Sequence, residues 1–357
     1  MLLLFMTNSK NILVAPLNWG LGHATRCIPI INALLTNGFT PILASDGDAL
    51  VLLQKEFPEL TSVQLPSYNI SYAKNGRFFK WKMLRNLPGL ITAVLKEHKQ
   101  IQGLVVKFNL SGIISDNRLG VYHNIIPSVY LSHQLTVLSG NSTWLTSKLH
   151  QKTIAKFNEC WVPDITGNNS FSGDLGSVKK HLSNVKHIGI LSRFKKISLA
   201  KTFDYLVILS GPEPQRSLLE TKLLNEFSKT TKSVLFVCGN ISTKQHVKTT
   251  KNITIYNFMT SLQLEDAINR SSIVISRSGY TTIMDLATIG KKVFFIPTPG
   301  QYEQLYLAER MNELQYAPYA FQEDFSFSDL EKIKEYKGLY TSQNATRFNR
   351  LFELFLN

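Results

Sequence analysis

The sequence predicts an α/β protein of two doubly wound parallel-sheet domains that face each other across a cleft. Short apolar runs alternate with longer helical patterns along the chain, the mark of parallel strands joined by helices. The alternation occurs twice, with a break near 185–203 (VKHIGILSRFKKISLAKTF). A length of 357 residues exceeds one ordinary core. The domains are expected at 1–190 and 200–357, with the last helix crossing back to the first.

In the first domain, strands are expected at 11–15 (NILVA), 41–45 (PILAS), 104–106 with 112–115 (GIIS), 127–132 (PSVYLS) and 160–162 (CWV). In the second they are expected at 204–210 (DYLVILS), 233–238 (SVLFVC), 252–256 (NITIY), 273–276 (IVIS) and 292–297 (KVFFIP). Helical patterns fill the gaps at 24–36, 49–56, 215–228, 261–269, 280–289 and 302–313. A parallel sheet binds its ligands at the carboxyl ends of its strands. Those ends read Pro16 to His23, Asp46-Gly47-Asp48, Asp116-Asn117-Arg118, His133-Gln134, Ser210-Gly211, Gly239-Asn240, Arg277-Ser278-Gly279 and Thr298 to Gln301.

The first of these, GLGHATR, places Gly20 and Gly22 before a helix start. No Gly-Lys-Ser/Thr follows, so it is not a P-loop. A dinucleotide fingerprint would need a third glycine where Thr25 stands. Glycines let backbone approach a ligand, and a helix start offers unpaired N–H groups to negative charge. His23 is a side chain able to accept a proton near neutral pH. The plain alternative is a tight turn carrying a solvated histidine.

The stretch 272–311 runs strand, Ser278-Gly279 turn, helix, Gly290, strand, Pro-Gly turn, helix. The helix after Gly279 offers its N–H groups to a diphosphate. Asp285, about two turns along it, suits the hydroxyls of a ribose. Glu303 and Gln304 open the next helix, where they suit sugar hydroxyls. Solvated helix residues with a favourable first-turn charge are the bland reading.

Asp46-Gly47-Asp48 has the form of a metal-holding Asp-x-Asp. A loop or helix-capping role is preferred, because the donor-type signature lies over 200 residues away. Segment 74–100 interleaves Lys74, Arg77, Lys80, Lys82 and Arg85 with Phe78, Phe79, Trp81 and Leu84. It reads either as an ordinary packed helix or as a membrane-surface element, kept short by Pro88-Gly89.

The net charge of +14 divides as 18 basic against 9 acidic residues in 1–190 and 21 against 16 beyond, or +9 and +5. This suits a polyanionic ligand or an anionic surface. No nucleic-acid recognition motif is present. Three cysteines, Cys27, Cys160 and Cys238, form no CxxC pair, which points to a reducing compartment and no zinc site. The opening MLLLFM is too short for a secretory core and no apolar run reaches membrane-spanning length. A cytoplasmic protein that touches the inner face of a membrane is expected.

SRSGYTTIMDLATIGKKVFFIP followed by GQYEQ, with the N-terminal GLGH and a looser LSGPEPQR, resembles the GT-B glycosyltransferases. The likeness is to the branch that adds N-acetylglucosamine to lipid I in peptidoglycan synthesis. The resemblance implies a nucleotide-sugar donor, a UDP-sugar, held by the second domain. Gly20, Gly22, Ser210, Gly211, Arg277, Ser278 and Gly279 would surround the diphosphate, Arg277 stabilising the departing UDP. Phe258 and Met259 would edge the base, Asp285 would hold the ribose, and Glu303 and Gln304 the sugar. His23 or Asp116 would take the acceptor's proton, in an inverting reaction without a metal or cofactor. The acceptor, lipid-linked in that branch, is left open. GHATRC also resembles the turn of the UDP-sugar hydrolase of pseudaminic acid synthesis, where the histidine activates water. Hydrolysis is therefore the rival chemistry, and non-catalytic nucleotide-sugar binding the third.

Overall fold

The computed structural model describes residues 9–68, 79–138, 143–177, 183–211, 213–240, 242, 244–341 and 346–356, with side chains of the helix beginning at Phe79 described from residue 88. The N-terminal sheet holds β1 (Asn11–Pro16), β2 (Thr40–Ser45), β3 (Ser62–Gln64), β4 (Leu110–Asp116), β5 (Ser128–Leu131), β6 (Glu159–Val162) and β7 (Val185–His187). All neighbours pair in parallel, in the order β3-β2-β1-β4-β5-β6-β7. The C-terminal sheet holds β8 (Phe203–Ile208), β9 (Val234–Val237), β10 (Val247–Thr250), β11 (Ile253–Tyr256), β12 (Ser271–Ser276) and β13 (Lys292–Phe295), in the order β10-β11-β9-β8-β12-β13. The expected fold class is the one observed.

β1 and β2 are buried at every residue but the first. Helices cover both faces of such a strand, so its sequence is a continuous apolar run rather than an alternation. The connecting helices are α1 (Gly22–Thr36), α2 (Gly47–Glu56), α3 (Phe79–Lys107), α4 (Thr143–Ile154), α5 (Gln215–Phe227), α6 (Ser261–Arg270), α7 (Tyr280–Ile289), α8 (Tyr302–Glu313) and α9 (Phe348–Phe352).

Four expectations are corrected. Residues 104–106 are not a strand but the last turn of α3, which passes uninterrupted through Pro88-Gly89. Ala93, Glu97, Ile101 and Leu104 are buried at helical spacing against the sheet, and packing on that face outweighs the proline. β7 lies inside the stretch read as a break, and β3 was not foreseen. β10 was also missed: all four of its residues are exposed, and it pairs antiparallel with β11 as a hairpin edge. Polar edge strands lack the burial that writes an apolar run.

The end of the chain returns to the N-terminal domain. Phe352 and Phe355 pack on Phe39 with ring centroids 5.7 and 6.5 Å away, and on Trp161 at 6.3 Å each. Gly112 is required here, because a methyl group on it would collide with the Phe355 ring.

Candidate active site

Three adjacent strands of the N-terminal sheet end at one place. β1 leads into the glycine loop and α1, β4 ends at Asp116, and β5 is followed by His133. Pro16 and Asp116 are register partners. Helix α1 begins at Gly22, a little before the expected start, so His23 stands in its first turn and Arg26 one turn on, on the same face.

These side chains form a buried cluster. Asp116 Oδ1 lies 2.8 Å from His23 Nδ1, and Asp116 Oδ2 accepts from Arg26 Nε at 2.5 Å. Arg26 Nη2 also donates to Asp116 Oδ1 and lies 2.8 Å from His23 Nδ1. Burial works against an ionised Asp116, but Arg26 and His23 hold its carboxyl down at about 2. Burial lowers the pKa of His23, and Arg26 adds to this against the pull of Asp116. His23 is thus neutral at neutral pH. Its side chain is 13% exposed and lines the interdomain cleft.

Arg26 continues the network. Its Nη1 lies 2.9 Å from His133 Nδ1, and His133 Nε2 lies 2.7 Å from Glu303 Oε1 on α8 of the other domain. Arginine only donates, so His133 Nδ1 accepts and Nε2 carries the proton given to Glu303. The His133 ring is stacked on Tyr280 at 4.3 Å and 2°, and the Tyr280 hydroxyl donates to Pro163 O at 3.0 Å.

Across the cleft stand the ends of the C-terminal strands. Gly20, Gly22, Ser210, Gly211, Phe258, Met259, Gly279, Asp285, Glu303 and Gln304 line one cavity of about 220 Å³ with His23. Gly20 and Gly211 have φ of 74° and 97°, where a side chain would be strained. A Cβ on Gly20 would lie 4.0 Å from Gly211 Cα, so the two loops meet backbone to backbone. The Thr281 hydroxyl donates to Gly22 O at 3.0 Å.

Several expected roles are placed differently. Arg277 does not line the cleft. It is 1% exposed, and its guanidinium donates to the carbonyls of Ile296, Pro297 and Gln215 and to Gln322 Oε1 at 2.6–3.1 Å. Burial with no carboxylate partner lowers its pKa to about 9. It clamps strand ends from beneath instead of meeting a leaving group. Ser278 is fully buried, its hydroxyl donating to Gln304 O at 2.6 Å. Asp285 reaches the cavity, but its carboxylate already accepts from Ser192 Oγ at 2.7 Å and sits 3.6 Å from Arg193 Nε. Burial pushes its pKa up to about 6. Gln304 Oε1 accepts from Thr298 N at 2.8 Å.

Asp46 occupies the N-cap position of α2 but makes no side-chain cap bond. Its Oδ1 pairs with the fully buried Arg118, which also holds Glu97 at 2.6 Å, and its Oδ2 accepts from Asn18 at 3.2 Å. That carboxylate is a structural anchor for α3. Among the described residues no group of three or more His, Cys, Asp or Glu is placed to hold a metal. Residues 74–78 of the basic segment lie outside the described residues. Among the described residues no helix is long and apolar enough to cross a membrane.

Residues 205–345 match the model of the glycosyltransferase family 28 C-terminal domain. The whole chain is similar in fold to solved glycosyltransferases. The spinosyn forosaminyltransferase SpnP has a TM-score of 0.62 at 13% identity, over 98% of this chain and 100% of that one. MurG of Acinetobacter baumannii has a TM-score of 0.55 at 12% identity, over 92% of each chain. No curated protein sequence matches the chain. The chain has the GT-B fold.

At this site the sequence reading did not single out Arg26, His133 and Tyr280, nor Ser192 and Arg193. Arg26 stands at i+3 from His23 on a helix face, and His133 follows a strand end, so both carried a local signal. Tyr280 and the Ser192-Arg193 pair carried none, because their roles exist only across the domain boundary.

Proposed function

We propose that the enzyme transfers a sugar from a UDP-sugar to an acceptor hydroxyl, with inversion and without a bound metal. The observation that carries this is the His23–Asp116 pair facing the Gly279 start of α7 across one cleft. His23 Nδ1 has both Asp116 Oδ1 and Arg26 Nη2 at 2.8 Å; in the tautomer that gives its Nδ1 proton to Asp116, the Nε2 lone pair is free to act as base. The acceptor O–H attacks the anomeric carbon and its proton passes to Nε2. The bond from that carbon to the diphosphate oxygen breaks, and UDP leaves with the electron pair. N–H groups at the start of α7 and the Ser210-Gly211 loop stabilise the departing charge. Phe258 and Met259 edge the base, and Asp285 binds the ribose once Ser192 and Arg193 give way.

A cavity of about 220 Å³ is smaller than the roughly 300–1,000 Å³ of ordinary ligand sites. The two domains touch across the site through His133–Glu303 and Thr281–Gly22, and donor admission on this reading parts them. The basic N-terminal domain suits a lipid-linked acceptor at an anionic membrane face, as the exposed Ile91 and Leu95 of α3 do.

The test is UDP release by purified protein from a panel of UDP-sugars, with and without a lipid extract. Release that needs the extract supports transfer to a lipid-linked acceptor. Release without it, with free sugar, shows hydrolysis by His23-activated water. His23→Ala is expected to reduce turnover about 10²- to 10⁴-fold, and turnover within a few-fold of wild type removes His23 from the chemistry.

A further inference from the structure

The C-terminal domain adds a second carboxylate to the buried cluster. Within the N-terminal domain, Arg26 is matched by Asp116 alone. Glu303, carried on α8, adds its charge through His133. With Nδ1 of His133 accepting from Arg26 and His23 uncharged, one guanidinium then faces two carboxylates, leaving one net negative charge. A cluster of that charge favours one more proton.

His23 is the group able to take it. Among the described residues, Asp116 at the end of β4, Arg26 and Cys27 on its own helix, His133 beyond β5 and Glu303 on α8 are the titratable and charged groups around it. Asp116 and Arg26 form a closed pair whose charges cancel, so Glu303 is the uncompensated member. The His133 ring is fixed between its two partners by the parallel stack on Tyr280. Its Nδ1 holds Arg26 and its Nε2–H holds Glu303, so neither carboxylate nor guanidinium is free to turn away.

We infer that His133 is a positioning residue that seats the Glu303 carboxylate of one domain on the His23–Asp116–Arg26 cluster of the other, so that this contact offsets part of the effect of burial and keeps His23 a competent base. The inference rests on the transferase reading of His23 given above. It links the domain that binds the donor to the proton-accepting group of the other domain. Glu303 thereby acts on the acceptor side of the reaction as well as on the donor sugar.

The experiment uses full-length wild type, Glu303→Gln, His133→Phe and His133→Gln. His23 is titrated by NMR on histidine-labelled protein without substrate, and kcat is measured against pH with a UDP-sugar that turns over. His133→Phe keeps a ring on Tyr280 and removes both hydrogen bonds, whereas glutamine offers an acceptor and a donor. Glu303→Gln and His133→Phe are expected to lower the His23 pKa by about one unit, the size of a lost charge several ångströms away at an effective dielectric of ~20. The acid limb of kcat moves down with it, and the plateau falls about tenfold. His133→Gln returns the titration to within a few tenths of a unit of wild type.

An unchanged His23 titration in Glu303→Gln overturns the inference, even if KM rises, since Glu303 would then serve the sugar alone. Equal shifts in His133→Phe and His133→Gln also overturn it, because loss of packing would explain both. Glu303→Gln is isosteric at a side chain 34% exposed, so it folds if His133→Phe does not. The NMR arm needs no turnover. A wild type that releases UDP from no donor therefore refutes the transferase reading while the charge coupling is still decided.

Discussion

Glu56 Oε1 accepts hydrogen bonds from both the backbone N–H and the hydroxyl of Ser261, each at 2.8 Å. Glu56 ends α2 of the N-terminal domain, and Ser261 opens α6 of the C-terminal one. A carboxylate of one domain thus caps a helix of the other, where unpaired N–H groups and the helix dipole favour negative charge. Arg193 Nη1 reaches the same hydroxyl at 3.0 Å, tying the interdomain linker to the contact.

This contact joins the two domains. Glu56→Ala is expected to cost about 1–2 kcal/mol and to shift the protein toward an open arrangement. Melting temperature and the radius of gyration from solution scattering read the two effects. A variant that melts and scatters as wild type does would show that the cap contributes nothing to closure.

With Asp285 as the proposed ribose ligand, donor binding is expected to depend on pH. Burial raises its folded pKa to about 6, so the carboxylate is ionised above that pH and protonated below it. Only the ionised form offers both oxygens to two ribose hydroxyls. KM for the donor should therefore fall as pH rises through about 6. Asp285→Asn should raise KM about tenfold at pH 8 with kcat nearly unchanged, the signature of lost uniform binding, and should flatten the pH dependence. A large fall in kcat alone would place Asp285 in the chemistry instead.

Arg277 separates a clamp from a catalytic cation. Its guanidinium holds three carbonyls and one side-chain amide beneath the strand ends. Lysine cannot span them, so Arg277→Lys should lose about 3 kcal/mol or more of stability, seen as a drop in melting temperature. Below that melting point, turnover should stay within a few-fold of wild type. Wild-type melting with a hundredfold loss of kcat would return Arg277 to the leaving group.

The larger cavity, about 870 Å³, lies beyond β6 and β7 and against α8, lined in part by Ser170, Asp174, His187 and Arg310. Arg310 bridges the domains there by donating to Ser170 O at 2.6 and 2.9 Å. Nothing in the local sequence around Arg310 marked it, since its partners lie about 140 residues earlier.

The sequence by itself determined the two parallel sheets, the strand ends that carry the site, and the presence of His23, Asp116 and the Ser-Gly turn at those ends. These follow from burial on both strand faces and from turn chemistry, which act over a few neighbouring residues. Tertiary structure decided which polar groups at those ends face the cleft. Arg277 and Ser278 were themselves read as diphosphate contacts, yet both turn inward, because buried carbonyls at the strand ends need donors. His133 and Glu303 are 170 residues apart in the chain. Their hydrogen bond exists only because two sheets present their carboxyl ends to each other, a relationship that no local pattern of residues encodes.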